Sequence, residues 1–321
     1  LFWAGLGLTG AIPLLLSDNP HMSMTDAVFE SLSALTTTGA TVITGIDALP
    51  LSILFYRQEL QWLGGMGIIV LAVAILPLLG VGGMQLYRAE TPGPLKDSKL
   101  TPRITETAKA LWYIYLALTI SCASLYWVAG MTFFDAIAHS FSTVSIGGFS
   151  THDLSIGYFN NKMIDLVAVV FMLISGINFT LHFLAWRNMN LKPYIFDTEL
   201  KVYLSVLFSI CLITCIYLIL KNVYEDPVTA ITHGIFQTIS IATTTGYTTA
   251  TYQSWPSFLP ILLLFASFIG ACAGSTGGGM KVIRIVLLFK QGMREIKRLV
   301  HPNAIIHIKL GTKFIRCHHN E

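Results

Sequence analysis

The chain is long and strongly apolar, with 321 residues of which 54% are hydrophobic and only 12% are charged. Soluble domains carry about 25% charged residues, so this composition excludes a disordered chain and argues against an ordinary soluble fold. The net charge of +3 is too small to indicate nucleic-acid binding. The five cysteines have no spacing typical of a zinc site or a disulfide framework.

Charge-free runs along the chain predict membrane-spanning helices. A helix crosses a hydrocarbon core of about 30 Å with about 20 residues, and the runs long enough are 60–87, 110–134, 166–186 and 202–220. Residues 1–16 are also apolar, and we interpret them as the remains of a cropped membrane helix, because they lack the basic start of a signal peptide. The charge-free run 227–280 is too long for one crossing.

Basic residues separate the two sides of the predicted membrane. Almost all of the 20 Lys and Arg residues lie in 87–109, 187–201 and 281–321. Because cytoplasmic loops of membrane proteins carry an excess of Lys and Arg, we predict that these three segments are cytoplasmic.

Three segments on the opposite side resemble one another. They are Asp26–Thr41, Asp135–Ser150 and His233–Thr248, and they align without gaps. In this alignment Gly39, Gly148 and Gly246 coincide, and so do Ser33, Ser142 and Ser240. The sequence therefore predicts an internal repeat whose unit is a span, an outer re-entrant segment and a second span.

Each repeated segment has a short apolar stretch followed by a strip of Thr, Ser and Gly. The apolar stretch is about a dozen residues long and is too short to cross a bilayer. We expect a half-helix that enters the membrane and an extended strip that returns. Non-helical backbone at membrane depth is tolerated only inside protein or beside a water-filled cavity, so the three strips are predicted to share a central cavity.

The chemistry of the strips suits a dehydrated monovalent cation. Backbone carbonyls can replace its hydration shell, Gly permits the backbone angles required, and the negative ends of half-helix dipoles favour positive charge. The strips carry no carboxylate, whereas Ca²⁺ and Mg²⁺ favour carboxylates. The predicted filter residues are Thr36, Thr37, Thr38, Gly39, Ser145, Ile146, Gly147, Gly148, Thr243, Thr244, Thr245 and Gly246.

A simpler interpretation is that Thr and Gly only allow close helix packing, as they do in many membrane proteins. That interpretation suits a single TTTG motif. Three aligned copies at equivalent places in the predicted topology favour the filter.

The glycine-rich run 270–279 interrupts the last apolar segment. Gly is about 1 kcal/mol worse than Ala in a helix, so this run is predicted to unwind below the strips. A kinked helix with close packing is the alternative. The run is not a nucleotide-binding loop, because Lys281 does not directly follow Gly279 and no Ser or Thr follows it.

Four motifs are similar to the Trk/Ktr/HKT superfamily of potassium transporters, and most similar to its bacterial Trk-type membrane subunits. They are Gln61–Ile68, Ser142–Asp153, Ala242–Tyr247 and Gly270–Arg284. The resemblance covers about residues 1–312. It implies an all-α polytopic membrane protein with repeated span–pore half-helix–filter strip–span units around a central pore.

The resemblance also implies boundaries. They are pore repeats at 1–87, 88–190 and 191–300 and a cytoplasmic tail at 301–321. The family has four repeats and this chain shows three, so we expect a truncated protein. Residues 270–279 are implied to form an intramembrane gating loop, with Gly270, Gly274, Ser275, Thr276, Gly277, Gly278 and Gly279 as its key residues. Lys281 and Arg284 are then either membrane-surface anchors or charges that tune the gate.

The function that the resemblance implies is potassium uptake across the bacterial cytoplasmic (inner) membrane, with K⁺ as the transported ion, no organic cofactor and no enzymatic activity. The implied partners are the lipid bilayer, a TrkA-like cytosolic nucleotide-binding regulatory subunit and a second copy of the chain in a homodimer; no nucleic acid is expected.

Two other functions stay open. One is a non-conducting membrane subunit with a structural role, because three strips leave one wall of a fourfold filter open. The other is an intramembrane hydrolase that uses Ser275 and His182, which is disfavoured because a lone His on an apolar helix is usually a packing residue.

Polar residues near the strips are given structural roles. We expect Asp26 and Asp135 to cap their half-helices and His139 and His233 to have surface or capping roles. Arg57 and Glu59 are expected to pair with each other or to attract ions.

Overall fold

The computed structural model describes residues 2–70, 104–256, 258–300, 308–310 and 313–315. The described helices are α1 Phe2–Leu15, α2 Met24–Leu35, α3 Leu51–Val70, α4 Ile104–Val128, α5 Phe133–Ser145, α6 Lys162–Ser175, α7 Phe179–Asn188, α8 Lys192–Phe196, α9 Thr198–Leu220, α10 Pro227–Ala242, α11 Phe258–Ile269 and α12 Val282–Val300. Two short strands, β1 Ile308–Leu310 and β2 Lys313–Ile315, pair antiparallel. This hairpin lies in the predicted tail, and the other regular elements of the described residues are helices.

Helices α4 and α9 are long and apolar enough to cross a membrane, over Ala108–Val128 and Thr198–Leu220. Both lie where charge-free runs predict spans. Apolar side chains on α9 face outward, with Phe208 69% exposed and Leu212 49% exposed. Such a surface suits contact with lipid, because soluble proteins rarely expose contiguous apolar patches of this kind.

The predicted span over 166–186 is not one straight helix. Helices α6 and α7 occupy this region and are bent by 89° at the break between Ser175 and Phe179. Asn178 caps α7 by accepting a hydrogen bond from the backbone N–H of Thr180 at 2.8 Å. A count of charges detects an apolar run but does not detect a polar cap inside it, which is why the break was missed.

The second predicted span begins earlier than expected. Helix α3 starts at Leu51 and contains Arg57 and Glu59, whereas the charge-free run starts at residue 60. The part of the predicted span after Val70 lies outside the described residues, as does the predicted boundary between repeats at 87. A charged residue can lie within the helix because its partner comes from another helix, as described below.

Three shorter helices correspond to the predicted half-helices. They are α2, α5 and α10, with 12, 13 and 16 residues. Ser23 and Thr132 are the N-caps of the first two, and their hydroxyls accept from the backbone N–H groups of Asp26 and Asp135. The expectation that these two aspartates are themselves the caps is therefore wrong. Each lies three residues inside, where its carboxylate accepts from the cap hydroxyl at 2.7 Å.

The half-helices pack both within and between the predicted repeats. Helix α5 packs against α4, which precedes it, and also against α3. Helix α10 packs against α9, α11 and α6 in the same manner. The half-helix of one predicted repeat thus lies against a helix of the preceding predicted repeat, which brings successive strips side by side.

Candidate functional site

Each half-helix ends in the same backbone turn. The backbone N–H of the residue three positions after the aligned serine donates to the preceding turn of the half-helix. The backbone N–H two positions further along donates to the carbonyl of the aligned serine itself. These longer bonds run from the N–H groups of Thr38, Gly147 and Thr245 to the carbonyls of Ser33, Ser142 and Ser240, at 2.9, 2.8 and 2.8 Å. A bond of this span is the Schellman motif of helix C-termini. The repeat seen in the sequence is therefore also a repeat in hydrogen bonding.

The residue that makes this turn is β-branched in all three strips. Thr37, Ile146 and Thr244 have φ values of 54, 57 and 69°. Positive φ at a β-branched residue is a genuine outlier, and such strain is concentrated at functional sites. These residues belong to the predicted filter strips, in which glycine was the residue expected to permit unusual backbone angles. In the sequence each of these residues lies two positions before an aligned glycine, and this constant spacing could have marked them.

The aligned glycines also have left-handed backbone. Gly39, Gly148 and Gly246 have φ values of 75, 81 and 88°. A side chain at the first two would also collide with the neighbouring strip. A Cβ atom added to Gly39 would overlap the carbonyl oxygen of Gly147 and lie 3.6 Å from that of Thr245, and one added to Gly148 would overlap the Thr245 carbonyl oxygen.

These contacts bring the three strips together at one place. Carbonyl oxygens of the second and third strips lie against glycines of the first and second. The C-termini of α2, α5 and α10 directly precede these strips, and the C-terminus of a helix carries partial negative charge. Within the described residues no cluster of three His, Cys, Asp or Glu side chains could hold a metal ion. The oxygen atoms of the strips are backbone carbonyls and the hydroxyls of Thr and Ser, none of which carries a formal charge.

The strips differ in exposure. In the second strip Ser145, Ile146 and Gly147 are buried, and in the third strip Thr243 and Thr245 are buried. In the first strip Thr36 and Thr38 are exposed. The outer threonine hydroxyls nevertheless pair in the same way, at 2.8 Å for Thr36 with Thr38 and 2.8 Å for Thr243 with Thr245.

The glycine-rich segment lies against the second and third strips. It runs without helix from Gly270 to Lys281, between α11 and α12. The N–H of Gly278 donates to the hydroxyl of Thr244 at 2.7 Å. The hydroxyl of Thr276 donates to the carbonyl of Val144 at 3.0 Å, at the end of α5. The segment therefore contacts two half-helix termini directly.

The same segment provides hydrogen-bond partners for backbone groups at the break between α6 and α7. The N–H of Cys272 donates to the carbonyl of Gly176 at 3.0 Å, and the N–H of Phe179 donates to the carbonyl of Gly274 at 2.9 Å. Non-helical backbone at membrane depth needs partners inside the protein. The break between α6 and α7 and the glycine-rich segment therefore provide hydrogen-bond partners for each other.

Lys281 ends the glycine-rich segment and contacts it. Its ammonium group donates to the carbonyl of Gly277, and its own φ is 72°. Arg284 lies one turn into α12 and is exposed. Lys281 is thus in contact with the predicted gating loop, whereas Arg284 lies at the surface of the helix that follows.

The family model for TrkH, described as a cation transport protein, matches residues 1–318. The chain belongs to the TrkH family. The Trk system potassium uptake protein TrkH of Vibrio parahaemolyticus is 63% identical over 313 residues, which cover 97% of this chain and 64% of that protein. TrkH of Escherichia coli K12 is 59% identical, with 98% of this chain and 65% of that protein covered.

A crystal structure of the potassium transporter TrkH from Vibrio parahaemolyticus matches with a TM-score of 0.87 and 59% identity, over 97% of this chain and 64% of that chain. The chain thus spans 64% of the length of that TrkH chain. Its similarity to TrkH confirms the predicted all-α polytopic membrane fold. The TrkH relatives are transporters and not enzymes.

Gln61 contacts the second strip of this TrkH family member and was missed as a site residue. Its amide nitrogen donates to the carbonyl of Gly147 at 2.8 Å. Its amide oxygen accepts from the hydroxyl of Ser142 at 2.6 Å and from the N–H of Phe149 at 3.2 Å. The sequence contained one indication of this role, because Gln61 lies near the start of a charge-free run. An amide that is buried there needs hydrogen-bond partners.

Arg57 pairs with Glu30 of the first half-helix, so the predicted pairing with Glu59 is wrong. The guanidinium lies 2.6 Å from the Glu30 carboxylate, and the two side chains are 1% and 0% exposed. Glu30 also accepts from the hydroxyl of Thr41 at 2.9 Å, and Arg57 lies 4.3 Å from the centre of the Phe149 ring. The sequence did not indicate the pairing of Arg57 with Glu30, because the two residues are far apart in sequence and lie on different helices.

The histidines near the strips have structural partners. The expected surface or capping role of His139 is wrong, because it is fully buried and bonds to the Asp135 carbonyl and the Ser150 hydroxyl, each at 2.9 Å. His233 is half-buried and bonds to the Thr249 hydroxyl at 3.0 Å.

The hydrolase hypothesis finds no support in the geometry. Both ring nitrogens of His182 are bonded, to the Tyr194 hydroxyl at 2.8 Å and to the Ile174 carbonyl at 3.0 Å. The hydroxyl of Ser275 donates to the carbonyl of Cys272 at 2.6 Å. His182 is the packing residue that a lone histidine on an apolar helix predicts.

One histidine lies in the connection after the second strip. His152 Nδ1 is 2.6 Å from Asp47 and its Nε2 is 3.6 Å from Asp135. Its ring stacks on Tyr158 with 3.5 Å between centres. Burial opposes protonation, but the two carboxylates outweigh it and raise the pKa of His152 above its ordinary value. The hydrogen bond with His152 lowers the pKa of Asp47.

Proposed function

We propose that the chain takes part in potassium uptake across the cytoplasmic (inner) membrane of a bacterium. The observation that carries this proposal is the meeting of three strips with the same strained turn and with uncharged oxygens at their surface. Relatives that are potassium uptake proteins support the choice of ion.

The proposed filter consists of Thr36–Gly39, Ser145–Gly148 and Thr243–Gly246. K⁺ loses water there and gains carbonyl and hydroxyl oxygens in exchange. The partial negative charge of the half-helix termini offsets part of the dehydration cost. Because the oxygens carry no full charge, the ion is released again, and K⁺ is cargo rather than a resident cofactor.

The glycine-rich segment 270–279 is the proposed gate. Its contacts with Thr244 and with the end of α5 support this role, since a shift of the segment would change the space next to two strips. Glycines allow such a shift at low conformational cost. Lys281 is a proposed tuning charge because it holds the Gly277 carbonyl, and Arg284 is proposed to act from the following helix.

The wider assembly is proposed on the same resemblance. We propose pore repeats at 1–87, 88–190 and 191–300, a homodimer in the bilayer and a TrkA-like nucleotide-binding subunit on the cytoplasmic side. The basic residues at the end of α12, Lys297 and Arg298, support a cytoplasmic position for that helix.

A structural, non-conducting role is the second candidate. The exposure of Thr36 and Thr38 favours it, because the equivalent residues of the other two strips are buried, namely Ser145, Gly147, Thr243 and Thr245. A filter that is open on one side would let water compete with the oxygens for the ion.

Growth of cells that lack potassium uptake separates the two candidates. Expression of the chain should restore growth at low K⁺ if the chain conducts. Failure to restore growth, with the chain present in the membrane fraction, would support the structural role.

A glycine substitution then tests the filter itself. In a conducting protein Gly246→Ser should weaken the preference for K⁺ over Na⁺ in a flux assay, because it strains a strip residue with φ of 88°. The matched control is Gly45→Ser, which has φ of 71° and, like Gly246, no described atom within 4 Å of an added Cβ. Equal ion preference in the two variants would contradict the filter assignment.

A further inference from the structure

A buried carboxylate touches the glycine-rich segment from a different helix. Glu199 lies in the first turn of α9 and is 7% exposed. One of its oxygens, Oε1, accepts from the N–H of Ala273 at 2.7 Å and from the N–H of Ile283 at 3.2 Å. No motif in the sequence marks this residue.

The two N–H groups need such a partner for different reasons. Ile283 is the second residue of α12, and the first N–H groups of a helix have no acceptor within the helix. A negative charge at that end of a helix is favourable. Ala273 lies in non-helical backbone between Gly270 and Lys281. One carboxylate oxygen therefore joins the segment and the following helix to α9.

Two contacts of the segment with the strips each involve a single acceptor. Thr276 and Gly278 bond to neutral oxygens of Val144 and Thr244. Glu199 Oε1 instead accepts from two N–H groups at once, one in the segment and one in α12. Asp197 and Lys281 are charged residues near Glu199, and Lys281 contacts the segment through the Gly277 carbonyl.

We propose that Glu199 is the positioning residue that anchors the glycine-rich segment against the second and third strips. Movement of the segment then requires the loss of both hydrogen bonds to Oε1. The consequence for ion flux rests on the proposed function, whereas the anchoring itself does not.

Cys272 reports the position of the segment directly. This residue is 1% exposed and lies next to Ala273. In a variant whose other cysteines (Cys122, Cys211, Cys215 and Cys317) are Ala, the rate of Cys272 modification by N-ethylmaleimide is measured in isolated membranes. Glu199→Ala should raise this rate about tenfold, which corresponds to a loss of about 1.4 kcal/mol from the anchored state.

Two further variants keep the test sharp. Glu199→Gln retains an acceptor oxygen without charge, so its labelling rate should lie between those of the parent and Glu199→Ala. Asp197→Asn is the matched control, because Asp197 caps α9 through the N–H of Leu200 at 2.7 Å and Asn preserves that cap. Its labelling rate should stay close to that of the parent, because the Asp197 side chain bonds to Leu200 and not to the segment.

The outcomes separate the anchor from the gate. Unchanged labelling in both Glu199 variants, each present in the membrane, would overturn the anchor. Faster labelling together with higher rubidium flux and unchanged ion preference supports both the anchor and the gate. Faster labelling with unchanged flux keeps the anchor and contradicts gating by residues 270–279.

Discussion

The first and second strips have the same backbone turn but different support. The first depends on a buried ion pair between Glu30 and Arg57, with Thr41 bonded to the same carboxylate. The second depends on the neutral amide of Gln61, which bonds on both sides of Gly148. The turn is thus a local property that is repeated, whereas its support is specific to each place in the fold.

One helix supplies both kinds of support. Arg57 and Gln61 are four residues apart on α3, so they lie on the same face of that helix. Arg57 also lies over the ring of Phe149, the residue that follows the second strip. Helix α3 therefore couples the first strip to the second, and variants on it can separate the two modes of support.

The largest effect is expected from Gly148→Ala. The added methyl would overlap the Thr245 carbonyl, and the φ of 81° is unfavourable for Ala. We expect loss of rubidium uptake with the protein still in the membrane. Gly246→Ala is the comparison, because no described atom lies within 4 Å of its added Cβ, and it should keep uptake with reduced ion preference. Equal uptake in the two variants would contradict contact between the second and third strips.

Arg57→Met should cost about 3–5 kcal/mol of stability, because it leaves the Glu30 charge buried and unpaired. Thermal unfolding of the purified protein in detergent measures this. The double variant Arg57→Met with Glu30→Leu removes both charges and should recover much of the loss. If the single variant is as stable as the parent, the pair does not support the first strip.

Gln61→Leu should have a smaller effect, about 1–3 kcal/mol, since it leaves the Gly147 carbonyl and the Phe149 N–H without this partner. We also expect altered ion preference from the second strip. Gln58→Leu is the matched control on the same helix, because the Gln58 amide has no hydrogen-bond partner within the described residues. A larger loss of stability in Gln58→Leu than in Gln61→Leu would contradict the conclusion that Gln61 supports the second strip.

The smallest effect concerns pH and the contact of His152 with Asp47, which joins the connections after the first and second strips. The pKa of His152 is raised in the folded protein, so protonation stabilises the fold. This stability is present at low pH and is lost as the pH rises through the raised pKa. Because Asp47 is 49% exposed, screening keeps the effect small.

The thermal midpoint measured across neutral pH checks this contact. His152→Gln should flatten the fall in stability on the alkaline side, whereas the same substitution at His182, whose ring nitrogens bond to Tyr194 and Ile174, should not. An unchanged slope in His152→Gln would show that the contact with Asp47 does not contribute.

The sequence by itself determined the parts that depend on local pattern. Apolar runs of sufficient length indicated the helices α4 and α9, and the aligned Ser and Gly residues indicated half-helices with similar turns. These features are set by the length of the apolar runs and by the backbone freedom of glycine, both of which can be read along the chain. The membrane class follows from composition in the same way.

Tertiary structure decided which polar groups meet. The break between α6 and α7 is stable because the glycine-rich segment supplies its hydrogen-bond partners, and Arg57 is tolerated in α3 because Glu30 comes from another helix. In the sequence Glu199 is only an acidic residue in the first turn of a helix. The fold places the N–H groups of Ala273 and Ile283 beside it. Partners distant in sequence satisfy buried polar groups, and a linear pattern does not record such distances.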